Sequence, residues 1–250
     1  MKHRLEQGET VIGSWVNTGS PVVAEIMAQA RFDFLVIDAE HSAVDVPQVQ
    51  ALLQAIRAGN PECFPIVRMP GNVYDETKRY LDAGAMGVIA PLIKTQEEAE
   101  ELVRSVKYPP RGERGVGFGR SHDYGFGFDS YMDRANNDTM VCVQIEHIDA
   151  VRNIDAILSV DGVDGAFVGP YDLSASMTLT AQFDHPDYVA AVHQITEACE
   201  RNSVYPGVHV VQPNPEEVRQ RITDGFRMIG YSLDITMLGR ESRRGLASLH

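Results

Sequence analysis

The 250-residue chain is 44% hydrophobic and carries 22 Lys and Arg against 35 Asp and Glu, giving a formal charge of −13 and a pI near 5.0. A surface of that sign repels nucleic acid and anionic membrane, so neither is expected as a partner, while a local basic pocket for a small anion stays compatible with it. Cys63, Cys142 and Cys199 are odd in number and lack a Cys-x-x-Cys spacing, which excludes a disulfide framework or thiolate zinc site as the organising feature and leaves buried small hydrophobes.

The N-terminal Met1 to Gly8 holds no apolar signal segment, and no run approaches membrane-spanning length; a soluble cytoplasmic protein is expected. From there, short runs rich in Val, Ile and Phe alternate with longer amphipathic stretches, the pattern of βα units around a parallel sheet. The strands are expected at 11–16, 33–38, 64–69, 87–91, 141–146, 164–169, 206–211 and 227–232. Ser20-Pro21 supplies a cap and first-turn proline for the first helix, and Thr95 with Glu98 makes a capping box. Gly59, Gly84 and Gly225 fall where helices should stop. From about Tyr108 to Asp138 the glycine-rich sequence predicts one long irregular stretch, a lid or contact surface. Eight units in this length predict a single (β/α)8 TIM barrel over residues 1–250.

Chemistry in such a barrel comes from the carboxyl ends of the strands. Asp38, Glu40 and His41 follow strand 2, Arg68 ends strand 3, and Gln144 and Glu146 share one face at the end of strand 5. Gly169 to Ser174 follow strand 6, and His209 ends strand 7 without an evident partner. Glu146 and Asp172, two carboxylates facing one mouth, repel each other unless a cation lies between them. An all-oxygen set suits Mg²⁺ or Mn²⁺, with Co²⁺ or Zn²⁺ still open. Gly169-Pro170 reads as a tight turn into a short helix whose first amides can meet a carboxylate. Arg68 either grips a substrate carboxylate or enolate oxygen or forms a salt bridge to Asp38 or Glu40. His41 stands beside two acids able to orient its imidazole. His122 and His147 have weaker claims.

Together, Asp38-Ala-Glu-His41, Val67-Arg68, Leu81-Asp-Ala-Gly84, the Pro109 to Gly117 segment, Gln144-Ile-Glu146 and Phe167 to Ser174 resemble the HpcH/HpaI class II aldolase family, in order and over almost the whole chain. The resemblance implies a barrel that cleaves 4-hydroxy-2-keto acids reversibly into pyruvate and an aldehyde with a divalent metal. It implies Glu146 and Asp172 as metal ligands, His41 as general base oriented by Asp38, and Arg68 on the pyruvyl oxygens. Gln144, Gly169, Pro170 and the backbone at Ser174 are the implied substrate contacts. Asp82 is implied to reach a neighbouring subunit's site, within a homo-hexamer, a trimer of dimers that exchange the last helix, about Ile235 to Leu249.

Lys94 is the only lysine near a strand end and lies past strand 4, which disfavours a Schiff base. Arg31 and Thr178 stand where the family usually has glycine, and Tyr171 where a smaller residue is frequent. The rival readings are a malyl- or citryl-CoA lyase of the same superfamily, for which the sequence offers no basic track, and a non-catalytic barrel that binds metal and keto acid.

Overall fold

The computed structural model describes residues 1–249. Eight parallel strands close into a barrel in sequence order: β1 (Val11–Val16), β2 (Phe34–Asp38), β3 (Phe64–Arg68), β4 (Gly87–Ala90), β5 (Met140–Ile145), β6 (Gly165–Val168), β7 (Tyr205–Val210) and β8 (Met228–Leu233), with β8 pairing back onto β1. Every strand boundary falls within one residue of its expected place, because each strand is buried on both faces and so reads as a short continuous apolar run.

The pleat divides these runs into two sets. Phe34, Val36, Phe64, Ile66, Ile89, Met140, Cys142, Phe167 and Met228 fill the barrel interior, while Leu35, Ile37, Val67, Val88, Val141, Val143, Val168 and Ile229 face the surrounding helices. Large inward rings fit because a neighbouring strand offers no side chain: a Cβ on Gly207 would sit 2.4 Å from the Phe167 ring. The inward set continues past the apolar layers, so Trp15, Asp38, Arg68, Gln144 and His209 emerge together at the carboxyl end of the barrel. Register adds a pair: Asp38 lies directly opposite Arg68 on β2 and β3.

Helices α1 (Lys2–Glu6), α2 (Pro21–Gln29), α3 (Val46–Gly59), α4 (Tyr74–Asp82), α5 (Gln96–Val106), α6 (Phe128–Asp138), α7 (Ile148–Arg152), α8 (Ile154–Leu158), α9 (Pro170–Ser176), α10 (Pro186–Asn202), α11 (Pro215–Thr223) and α12 (Asp234–Ala247) complete the chain. Ser20 caps α2 through the Val23 amide, and Thr95 with Glu98 boxes α5 as expected; each cap stabilises its helix by about 1 kcal/mol. Gly84 (φ +106°) and Gly225 (φ +97°) make left-handed stops, whereas Gly59 is the last residue of α3 and is followed by an extended Asn60.

The expected irregular stretch is half right. Residues 109–119 are irregular, but a 3-10 turn spans Arg120–Gly125 and α6 runs over Phe128–Asp138. Glycines up to Gly127 masked a helix that begins immediately after them. Arg31 (φ 66°) and Thr178 (φ 61°) do occupy the left-handed region, at a cost of about 1 kcal/mol each. All three cysteines are free and buried, and burial pushes the Cys63 and Cys199 thiols up to about 12. No helix among the described residues is long and apolar enough to cross a membrane.

The last helix stands apart from the others. α12 packs chiefly on β1 and β8, and Asp234 at its root is its one buried residue. Ile235, Leu238 and Leu246 are exposed along it, as are Val22 and Ile26 on α2.

Candidate active site

At the carboxyl end of the barrel a cleft of about 270 Å³ is lined by residues from five strand ends and the loops after them, including Trp15, His41, Arg68, Gln144, Asp172 and His209. Its basic wall is Arg68, only 14% exposed at the side chain. Nε donates to Asp38 Oδ1 (2.9 Å) and Nη2 to Asp38 Oδ2 (2.7 Å), a bidentate pair, and Glu40 Oε2 lies 3.3 Å from Nε. The guanidinium stacks 4.3 Å from the Trp15 ring centre. Both ion pairs that the sequence left as alternatives to substrate binding are therefore made, and Nη1 enters none of the hydrogen bonds among the described residues.

Asp38 is fully buried. Burial pushes its carboxyl up, but the hydrogen bonds and charge of Arg68, with the His41 amide and Asn17, bring it below the usual carboxylate value. Asn17 Nδ2 donates to Asp38 Oδ2 at 2.6 Å. The expected contact between Asp38 and the His41 imidazole is not made. Asp38 Oδ1 instead accepts the backbone amides of Glu40 (3.1 Å) and His41 (3.2 Å), so it sets the turn that carries His41, and the neighbour of the ring is Glu40 (Nε2 to Oε2, 3.7 Å). The reason is register: Arg68, opposite Asp38, takes both of its oxygens. The His41 side chain is 60% exposed, placing the imidazole at the mouth.

Directly behind Gln144, which lines the cleft, lies the acid Glu146, 3% exposed. Its Oε1 accepts the Leu92 amide at 2.7 Å and its Oε2 accepts Gln144 Nε2. Burial raises its pKa against those two bonds, and the Asp172 charge raises it further. Glu40 is pushed up to about 7, by burial first and then, against Arg68, by the charge of Glu146. The site is thus a concentration of carboxylates with a single guanidinium beside them. Gly169 permits the close approach to this acid: a Cβ there would fall 2.8 Å from Glu146 Oε2. Leu92 presents its amide from a left-handed backbone (φ 55°), a strained conformation costing on the order of 1 kcal/mol at a position the sequence did not mark.

Other expected residues divide. Gly169 and Pro170 line the cleft, as does Tyr171, which is 46% exposed and packs edge-on against Phe183 at 5.2 Å. Ser174 does not line it: fully buried in α9, its hydroxyl donates to Tyr171 O (2.9 Å) and accepts the Ala181 amide (3.1 Å), a structural tie. Asp82 lies away from its own chain's cleft, where it accepts Arg114 Nη2 at 2.7 Å; Arg114 is itself buried over Tyr108. His122 is buried within the 117–125 loop, with its ring nitrogens 2.7 Å from Gly117 O and 3.0 Å from Gly125 N. His147 caps α7.

Trp15, Asn17 and His209 were the residues missed or left without a role. His209 lies against Trp15 (centroids 5.0 Å) and its Nε2 is 3.0 Å from Ser232 O; since a carbonyl only accepts, Nε2 carries the proton. Burial, against that bond, lowers the imidazole to about 4. The available signal was alternation: Trp15 and Asn17 continue the inward phase of β1 just as Asp38 and Arg68 continue theirs.

Among the described residues, no group of three or more His, Cys, Asp and Glu forms a ready-made metal cage. Glu146 with Asp172 is a donor set of hard oxygens that leaves most coordination positions to water or substrate, as a catalytic site for Mg²⁺ or Mn²⁺ requires. Glu146 is buried and Asp172 exposed beside it, and the repulsion that raises Glu146 suits a divalent cation between them.

A closed parallel barrel with acids, one arginine and a histidine at the ends of its strands defines an enzyme of TIM-barrel class. Residues 11–238 match the family described as HpcH/HpaI aldolase/citrate lyase. The chain is 37% identical over 238 residues to hydroxypyruvate/pyruvate aldolase of Roseobacter denitrificans, covering 95% of this chain and 91% of the relative. It is 35% identical to 4-hydroxy-2-oxo-heptane-1,7-dioate aldolase of Escherichia coli, covering 96% and 90%. A crystal structure of an HpcH/HpaI aldolase/citrate lyase family protein from Burkholderia cenocepacia superposes with a TM-score of 0.93 at 34% identity, covering 99% of this chain and 98% of the other. The chain belongs to the HpcH/HpaI aldolase/citrate lyase family and is a lyase.

Proposed function

We propose that the chain is a metal-dependent aldolase that cleaves a 4-hydroxy-2-keto acid reversibly into pyruvate and an aldehyde. The observation that carries this reading is the buried Glu146 beside Asp172, facing Arg68 in a cleft whose lining, among the described residues, contains no lysine. That arrangement suits an enolate stabilised by cationic charge and offers nothing for a Schiff base.

Glu146 and Asp172 would hold the divalent cation, Mg²⁺ or Mn²⁺ by their hardness, with Co²⁺ or Zn²⁺ as alternatives. When bound, the ion supplies Lewis-acid stabilisation of the charge that gathers on the C2 oxygen as the C3–C4 bond breaks. Arg68, fixed by Asp38 and Trp15, directs its remaining donors at the pyruvyl oxygens. Gln144 orients Glu146, and the first-turn amides of α9, which lack intrahelical partners, face the substrate carboxylate beside Gly169 and Pro170. His41 removes the C4 hydroxyl proton, directly or through one water, with Glu40 beside its ring. In the synthetic direction the same imidazole takes a proton from the pyruvate methyl group.

The exposed apolar face of α12 and the exposed Val22 and Ile26 of α2 favour exchange of α12 between subunits in a homo-hexamer, a trimer of dimers, with Asp82 turned toward a neighbour's site. A malyl- or citryl-CoA lyase is less well served: among the described residues Arg68 is the only Lys or Arg lining the cleft, and a coenzyme A pyrophosphate needs more cationic contacts.

Proton NMR of pyruvate in D₂O tests the reading. Loss of the methyl signal is expected with Mg²⁺ or Mn²⁺ and not with chelator. Glu146→Gln should reduce the exchange to the protein-free rate, and His41→Ala should slow it by about 10²-fold or more. Exchange that is indifferent to chelator and to Glu146→Gln would overturn the assignment.

A further inference from the structure

Asp234, at the root of α12, is 4% exposed and is not among the residues that line the cleft, yet its carboxylate is fully engaged. Oδ1 accepts the Asn17 amide (2.9 Å); Oδ2 accepts the Thr18 amide (3.0 Å) and hydroxyl (2.7 Å). These bonds fix the turn after β1 from which Asn17 Nδ2 reaches Asp38 Oδ2 at 2.6 Å. Asp38 in turn clamps Arg68 at Nε and Nη2. The Asn17 side chain has no other support: its Oδ1 is buried without a partner among the described residues. A continuous chain of hydrogen bonds therefore runs from the first residue of the last helix to the cleft's only arginine.

We infer that Asp234 is a positioning residue for Arg68, acting through Asn17 and Asp38, so that seating the root of α12 and orienting the arginine are one event. Without Asp234 the two amides after β1 lose a buried acceptor, the turn relaxes, and Asn17 no longer supports the Asp38 carboxylate. Asp38 keeps its charge but loses its third side-chain donor, the one on Oδ2, away from the Glu40 and His41 amides on Oδ1, and Arg68 follows. The consequence for pyruvate rests on the aldolase reading; the consequence for Arg68 itself does not.

Trp15 makes the two separable. It is the chain's single tryptophan and lies directly under the Arg68 guanidinium, so its emission reports the arginine with no substrate present. Asp234→Asn and Asn17→Ala should each change the Trp15 emission. Each should also raise the pyruvate concentration for half-maximal methyl exchange by about fivefold to tenfold, the effect of one hydrogen bond of ordinary strength. In the Asn17→Ala background, Asp234→Asn should add less than about twofold, because the route is already cut. Asn17→Ala leaves the Asp234 contacts in place and serves if Asp234→Asn is insoluble. Unchanged Trp15 emission in either folded single variant, or full additivity in the double variant, overturns the inference. No exchange in the wild type, with emission changes as expected, overturns the aldolase reading and leaves the positioning role standing.

Discussion

Gly169→Ala places one methyl group directly against the Glu146 side chain, where there is no room for it. The new Cβ would lie 2.8 Å from Oε2 and 2.9 Å from Cβ of Glu146, and 3.4 Å from Gln144 Nε2. Turning the carboxylate relieves only the first contact; the second involves the root of the Glu146 side chain, so β5 and the turn after β6 must part by about 0.5 Å, beyond the tolerance of a preorganised site. A metal ligand displaced by more than about 0.2 Å is compromised, and loss of ligand support typically lowers metal affinity 10–100-fold. Overpacking costs about 1–3 kcal/mol of stability, which leaves a lyase of this size folded at 25 °C. The assay is a Mn²⁺ titration of pyruvate methyl exchange, with Gly239→Ala, whose added Cβ meets nothing within 4 Å, as the control. The half-saturating Mn²⁺ concentration should rise at least tenfold in Gly169→Ala and stay unchanged in the control. A value within twofold of wild type would refute the reasoning that Glu146, held beside Gly169, is the ligand.

Arg68→Lys keeps the charge but cannot span both oxygens of Asp38; steady-state exchange should show at least a tenfold higher half-saturating pyruvate concentration, and a smaller change would mean the fork geometry is unimportant. His209 predicts a pH effect with a definite sign. Its folded imidazole, lowered to about 4, stays neutral while the unfolded one protonates near pH 6.5, so stability falls between about pH 6.5 and pH 4, by about 2–3 kcal/mol. Glu40, raised to about 7, opposes this by losing stability as pH rises from 4.5 toward 7, and the comparison of wild type with His209→Phe by thermal unfolding isolates the imidazole. The difference between the two should narrow as pH falls to 4; a constant offset would show that folding does not shift the His209 imidazole. Tyr171→Ala, at the cleft mouth, should leave pyruvate exchange within twofold and shift the kcat/KM ratio of bulky to small aldehydes about tenfold toward the bulky ones; an unchanged ratio in an aldehyde screen would remove Tyr171 from substrate selection.

The barrel was legible because parallel strands buried on both faces leave a strong signal and because helix caps such as Ser20 and Thr95 are local. Strand ends then named Arg68, Gln144, Glu146 and Asp172. What sequence could not supply was which of several neighbours a side chain would choose. Asp38 adjoins His41 in sequence and Arg68 only in register, and the register won. Ser174 sits one helical turn from Pro170, but the turn at 178–181 captures its hydroxyl. Phe128–Asp138 was hidden by the glycines before it, and the Leu92 amide carries no residue-type signal, since any residue has one.

The charge distribution at the mouth implies an order of events. Asp38, Glu40, Glu146 and Asp172 face one Arg68, and its two nearest acids already occupy that guanidinium. Glu146 and Asp172 share no cation with it at hydrogen-bonding distance, and the mutual effect of these charges is visible in the raised Glu146 and Glu40. Pyruvate arriving as an anion would add another negative charge to an already acidic pocket. At an effective dielectric near 20, one such repulsion at 4 Å costs about 4 kcal/mol, more than the free donors of Arg68 restore. On the proposed assignment, a divalent ion held by Glu146 and Asp172 would reverse that sign and would therefore have to precede the keto acid. Calorimetric titration should give pyruvate at least 10²-fold weaker binding in chelator than in saturating Mg²⁺, and by linkage pyruvate must tighten Mg²⁺ binding by the same factor. Equal pyruvate affinity with and without Mg²⁺ would mean that Arg68 and the α9 amides hold the substrate unaided.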